Sequence, residues 1–125
     1  FGVQGMQFTA TSTTAENQTL SFPMSIHSIP NNNDNQDIVS MGTNAAMMTA
    51  KVIDNAFQVM AIECIALVQG VEYLGCEDEM SGLGRNFVAE LKKIVPPFKD
   101  DTSQTDAIKA LTKYLKNGTP PIKLD

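Results

Sequence analysis

The chain has 125 residues, 42% of them hydrophobic, with a formal charge of −5, no Trp, one His and two Cys. That length suits one domain. The few aromatics and the lack of a basic stripe exclude the usual nucleic-acid-binding patterns, and one His with two separated Cys makes no credible metal-ligand set. The charge is uneven: residues 1–80 carry one Lys and nine acidic groups, residues 81–125 eight basic groups and five acidic ones.

In chain order, Phe1–Thr19 is ambiguous. Met6, Phe8, Ala10 and Ser12 alternate as in a strand, and the threonines favour β structure. The small, hydroxyl-rich surface would equally suit close helix–helix contact. Ser21–Asn35 reads as a loop punctuated by Pro23 and Pro30. The Asn31–Asp37 run crowds amides and acids at a position where such groups cap a helix and complement its dipole.

From there an apolar run predicts one long helix, ending at about Gly70–Gly75. Met47, Met48, Val52, Ile53, Phe57, Val59, Met60, Ile62, Ile65, Leu67 and Val68 fall on all its sides. A helix apolar all round is a buried helix. No window of ~18 residues is free of charge, which argues against a membrane span. At 1.5 Å per residue such a helix is roughly 50 Å long, whereas a compact chain of this size is about 36 Å across. Other chains, or the rest of a longer protein, are expected to cover it. The opening at Phe1, with no initiator Met or targeting segment, favours a fragment. Cys64 and Cys76 read as reduced thiols, so the expected compartment is the cytoplasm.

Glu77-Asp78-Glu79 with Gly82 and Gly84 predicts a break. Phe87, Val88, Leu91, Ile94 and Val95 then mark one face of a helix that stops before Pro96-Pro97. Ser103 with Asp106 suggests a capping box for a last helix carrying Ile108, Leu111 and Leu115. Asn117-Gly118 is a fitting stop, and the tail from Thr119 reads as extended. The expected fold is all-α: a long central helix plus shorter amphipathic helices. Residues 1–76 form the central helical portion with a loop at about 21–37, and residues 77–125 form the C-terminal helices and tail.

Candidate site residues each admit a plainer role. The amides of Asn32, Asn35 and Gln36 suit an amino acid's carboxylate or amine, or else they cap a helix and close a turn. His27 is an acid–base candidate or a solvated loop residue. Glu63, alone among apolar neighbours, would have a raised pKa if buried, or would pair with a basic group elsewhere in the assembly. Ser40, Thr43 and Asn44 suit local backbone bonds, and Met47, Met48 and Met60 suit packing. No catalytic constellation emerges from residue types alone.

Asn35-Gln36-Asp37-Ile38-Val39-Ser40-Met41-Gly42 resembles the aromatic amino acid ammonia-lyase and aminomutase family. The likeness extends upstream through Ala15-Glu16-Asn17, Leu20, Pro23, Ser25 and Ser28-Ile29. Downstream it takes in Thr43, Ala45-Ala46, Ala61-Ile62-Glu63 and Gln69-Gly70, and more loosely Ser81-Gly82 to Pro96-Pro97.

The resemblance implies a helical-bundle homotetramer with active sites shared between subunits, and it favours helix for Phe1–Thr19. It also implies a methylidene-imidazolone (MIO) electrophile made from an Ala-Ser-Gly that these 125 residues lack. In the implied reaction the electrophile takes the amine of an aromatic L-amino acid and a base upstream removes the β proton. Ammonia leaves to give an aryl acrylate, or the amine migrates from the α to the β carbon. Gln36 and Asn32 match positions near substrate and electrophile, and Asn35 the motif amide beside them. Histidine ammonia-lyases resemble Gln-Glu-Asp-His here, with glutamate at position 36, so Gln36 favours tyrosine or phenylalanine over histidine as substrate. No catalytic group is expected within this stretch, and the piece alone is expected to be inactive. The rival readings are an aminomutase, a degenerate member kept for structure, and a non-catalytic helical assembly module.

Overall fold

The apolar run folds as one continuous helix, and the rest of the chain is laid along it. The computed structural model describes residues 2–26, 30, 32, 33, 35 and 41–118, and among these it is all-α. Four helices follow in order: α1 (Gln4–Leu20), α2 (Gly42–Leu74), α3 (Gly82–Ile94) and α4 (Thr105–Asn117), with short 3-10 turns at Met24–Ile26 and Glu77–Glu79.

The strand-like alternation near the N-terminus is overruled: Gln4–Leu20 is helical. Its threonines do not obstruct the helix, because Thr14 and Thr19 donate their hydroxyls to the carbonyls of Ala10 and Ala15, four residues back. Helix α1 runs antiparallel to α2, with Asn17 beside Val52 and the Val3–Ala10 end along Val59–Ala66.

Helix α2 stops at Gly75, whose φ of 63° is left-handed and whose N–H donates to the Val71 carbonyl. Among the described residues only one side of α2 is covered, as expected of a helix whose other side is left to other chains or to the rest of a longer protein. Ala61, Ile62, Cys64, Ile65 and Val68 join Met6, Leu91, Val95 and Leu111 in a single core. Ile53, Met60, Leu67 and Leu74, spaced seven residues apart, are exposed. By length and composition α2 could cross a membrane. It is instead packed by α1, α3 and α4, and its Asp54 and Glu72 pair with Lys116 and Lys92.

The break after α2 is narrower than expected, because Gly82 and Gly84 lie inside α3. Ser81 caps that helix, its hydroxyl accepting from the Gly84 N–H at 3.1 Å. Lys92 in its last turn is held at 2.6 Å from Glu77 and 3.0 Å from Glu72. Hydrogen bonding to Glu77, then to Glu72, raises its pKa.

The expected Ser103–Asp106 box does not form. Gln104 is the residue that caps α4, without a side-chain cap bond, and Ser103 donates instead to the Thr105 hydroxyl. Helix α4 ends at Asn117 as expected, but Gly118 is extended rather than left-handed. Glycine is needed there for closeness: a Cβ would collide with the Tyr114 carbonyl oxygen. The tail from Thr119 lies outside the described residues.

Candidate functional site

A connection of about twenty residues between two packed helices is uncommon unless it carries function. The segment between α1 and α2 has that length. It leaves α1 at Ser21, whose N–H donates to the Asn17 carbonyl. Leu20, Phe22, Pro23 and Met24 then pack beside Ala45, Met48, Thr49 and Val52 of α2 around an apolar cleft of about 280 Å³. The loop is therefore seated on the first turns of the long helix.

Farther along, the Asn-rich run makes a tight turn. Asn32 and Asn33 adopt φ of 54° and 53°, a left-handed region that asparagine tolerates better than most residues. The Asn35 N–H donates to the Asn32 carbonyl at 3.1 Å. Asn32 and Asn35 are both exposed in this chain. Each amide offers two donors and an acceptor, the set needed to meet a carboxylate and an ammonium together. Gln36 falls outside the described residues, as do His27, Asp37, Ile38, Val39 and Ser40.

Capping of α2 differs from the expectation. Met41, not an asparagine or aspartate, stands at the cap, with no side-chain cap bond and a left-handed φ of 50°. That conformation costs a non-glycine residue of order 1 kcal/mol. It sits where the motif enters the helix. Thr43 and Asn44 are exposed on the first turn.

Other candidates separate from this loop. Glu63 is exposed, facing the opening lined by Val3 and by Gln4, Gln7 and Ala10 of α1, so it is not buried within this chain. Cys64, next in sequence, is buried, and burial foremost, with the Glu63 charge second, pushes its thiol pKa up. Cys64 and Cys76 are both free thiols. Among the described residues no group of three or more His, Cys, Asp or Glu is placed to hold a metal. The residues present also do not fit the formation of MIO. The one Ser-Gly pair, Ser81-Gly82, follows Met80 instead of Ala, and its serine is the α3 cap.

One cluster had no sequence signal. Asn55, buried at 4% exposure, donates both amide hydrogens across to α1: to Glu16 Oε2 at 2.7 Å and Asn17 Oδ1 at 2.9 Å. Asn17 in turn donates to the Val52 carbonyl at 3.4 Å, and Lys51 lies 3.9 Å from Glu16. Glu16-Asn17 stood out only as part of the family likeness, and its partner lies 38 residues away.

Comparison with known proteins agrees with the motif. The family model described as aromatic amino acid lyase matches residues 1–93. A tyrosine ammonia-lyase of Cupriavidus metallidurans is 38% identical over 117 residues, covering 94% of this chain and 22% of the relative. A histidine ammonia-lyase of Bacillus subtilis is 42% identical over 115 residues, covering 92% of this chain and 22% of the relative. The crystal structure of a tyrosine aminomutase from Streptomyces globisporus superposes with a TM-score of 0.89 at 34% identity, covering 94% of this chain and 22% of that one. The chain thus spans about a fifth of the length of these relatives. With the family model matched over most of its length, and with the same helical architecture, the chain belongs to the aromatic amino acid lyase family.

Proposed function

We propose that this chain contributes the C-terminal portion of a cytoplasmic, MIO-dependent ammonia-lyase that removes ammonia from an aromatic L-amino acid to give an aryl acrylate. The observation that carries this reading is the pair Asn32 and Asn35, exposed on the connection ahead of α2 in a chain of this family, with Gln36 next in sequence. Identity alone does not choose a substrate, since the histidine enzyme of Bacillus subtilis is as similar as the tyrosine enzyme. Position 36 does discriminate: a neutral glutamine there suits a phenol or phenyl ring better than an imidazole, which a glutamate would favour. Tyrosine or phenylalanine is therefore preferred over histidine.

Within that reaction Asn32, Asn35 and Gln36 orient the substrate, a contribution that depends on sub-ångström placement. In this reading the central helical portion, residues 1–76, carries the loop, and α3 and α4 of the C-terminal portion, residues 77–125, pack against α2. The exposed stripe of Ile53, Met60, Leu67 and Leu74 supports assembly. A seven-residue apolar repeat is the pattern one helix offers another, and a homotetramer of long helices would cover it.

A second reading, migration of the amine to the β carbon, is favoured by the tyrosine aminomutase likeness. One experiment tests both. The full-length protein is incubated with L-Tyr, L-Phe and L-His while acrylate absorbance, free ammonia and, by mass spectrometry, β-amino acid are followed. Acrylate and ammonia from tyrosine or phenylalanine support the lyase. A β-amino acid without ammonia means the aminomutase. Inactivity on all three in a folded oligomer means a structural or assembly role.

A further inference from the structure

Helix α1 has little apolar surface with which to fix its own position. Of its seventeen residues only Met6 is buried. Apolar contact of this kind tolerates sliding, whereas a buried amide is satisfied in one geometry only. Asn55 supplies that geometry: both its N–H groups are used on two consecutive residues of α1, Glu16 and Asn17. Asn17 closes the loop a second time by donating to the Val52 carbonyl. These contacts join the last turn and a half of α1 to the middle of α2, so they staple the base of the segment that carries Asn32, Asn35 and Gln36. A slip of one residue along α1 would move the departure point at Ser21 by about 1.5 Å and turn it by about 100°. Displacement of about 1 Å at a reacting centre is enough to slow a reaction about a hundredfold.

We infer that Asn55 is a positioning residue, which acts through Glu16 and Asn17 to set the register of α1 on α2 and thereby the point at Ser21 from which the connection carrying Asn32 and Asn35 departs. The inference rests on the lyase or aminomutase reading for its kinetic consequence, and on the hydrogen bonds alone for its structural one.

The test exchanges donor and acceptor in the full-length protein. Asn55→Asp sets a carboxylate against the Glu16 carboxylate and removes the donor. Adding Glu16→Gln restores a donor from the opposite side. The expected result is a tenfold or greater fall in kcat/KM for N55D, recovered to within about threefold of wild type in N55D/E16Q. In a Gln36→Ala background N55D is expected to cost no more than about twofold further, because both act on one loop. A double variant no better than N55D, or full additivity with Q36A, overturns the inference in favour of a general stability role. If the wild type turns over no aromatic amino acid, the functional reading fails, and the staple is read instead by amide hydrogen exchange over residues 21–35. Exchange at least tenfold faster in N55D and restored in N55D/E16Q supports it; unchanged protection overturns it.

Discussion

Gln69 and Phe98 exchange two hydrogen bonds across 29 residues: the Gln69 amide donates to the Phe98 carbonyl at 2.8 Å, and the Phe98 N–H donates to Gln69 Oε1 at 3.1 Å. The side chain thus does for Phe98 what a neighbouring strand would do. It holds the segment after Pro96-Pro97 against α2 and so fixes where α4 begins. Replacing Gln69 by Leu leaves both backbone groups of a partly buried residue unpaired. The expected loss is about 1–3 kcal/mol of stability, read as a lower denaturation midpoint with unchanged slope in urea. Wild-type stability in that variant would show that water satisfies Phe98 equally well.

The two sides of the long helix should respond oppositely to substitution. Leu111 is fully buried against α2 and Leu67 is 58% exposed. Leu111→Ala is expected to destabilise by about 2–5 kcal/mol through lost burial and a residual cavity. Leu67→Glu should leave helix content intact and reduce the sedimenting mass of the full-length protein. An unaltered oligomer in Leu67→Glu would remove the stripe from the subunit interface.

At the loop, Gln36→Ala in the full-length protein should lower kcat/KM by about 1–3 kcal/mol of transition-state binding, roughly 5- to 150-fold. Steady-state kinetics on the preferred substrate measures it, and unchanged kinetics would take Gln36 out of the site. Gln36→Glu should shift preference toward histidine; an unaltered substrate panel would count against the charge argument at that position.

Cys64 has a raised thiol pKa, from burial first and Glu63 second. The native state therefore prefers the neutral thiol. Below the ordinary thiol pKa of about 8.5 both native and unfolded chains are protonated and the full stability is present. As pH rises, the unfolded chain ionises first, so stability falls toward the higher native pKa. Lys92, with its pKa raised by Glu77 and Glu72, contributes in the same direction at higher pH. Urea midpoints should decline as pH rises above about 8.5, and the decline should be shallower in Cys64→Ala. At neutral pH a thiol reagent should label the half-buried Cys76 before Cys64; equal rates would contradict the burial of Cys64.

Much of this protein was readable from residue order. The motif through Gly42 identified the family, and the unbroken apolar run through Val68 marked α2, because a helix is written by local propensity and period. The 3.6-residue spacing of Phe87, Leu91 and Ile94, with prolines behind it, placed α3 for the same reason. Long-range partnership was not readable. Nothing near Asn55 in sequence announces Glu16 and Asn17, and nothing near Gln69 announces Phe98, since such bonds depend on how helices pack. Packing also turned the strand-like start into α1, and local geometry passed over the Ser103–Asp106 box in favour of a bond to Thr105. Residue order determined the helices and the family motif; tertiary structure decided which polar groups join α1 to α2, because a buried amide is satisfied only by the partner that folding brings to it.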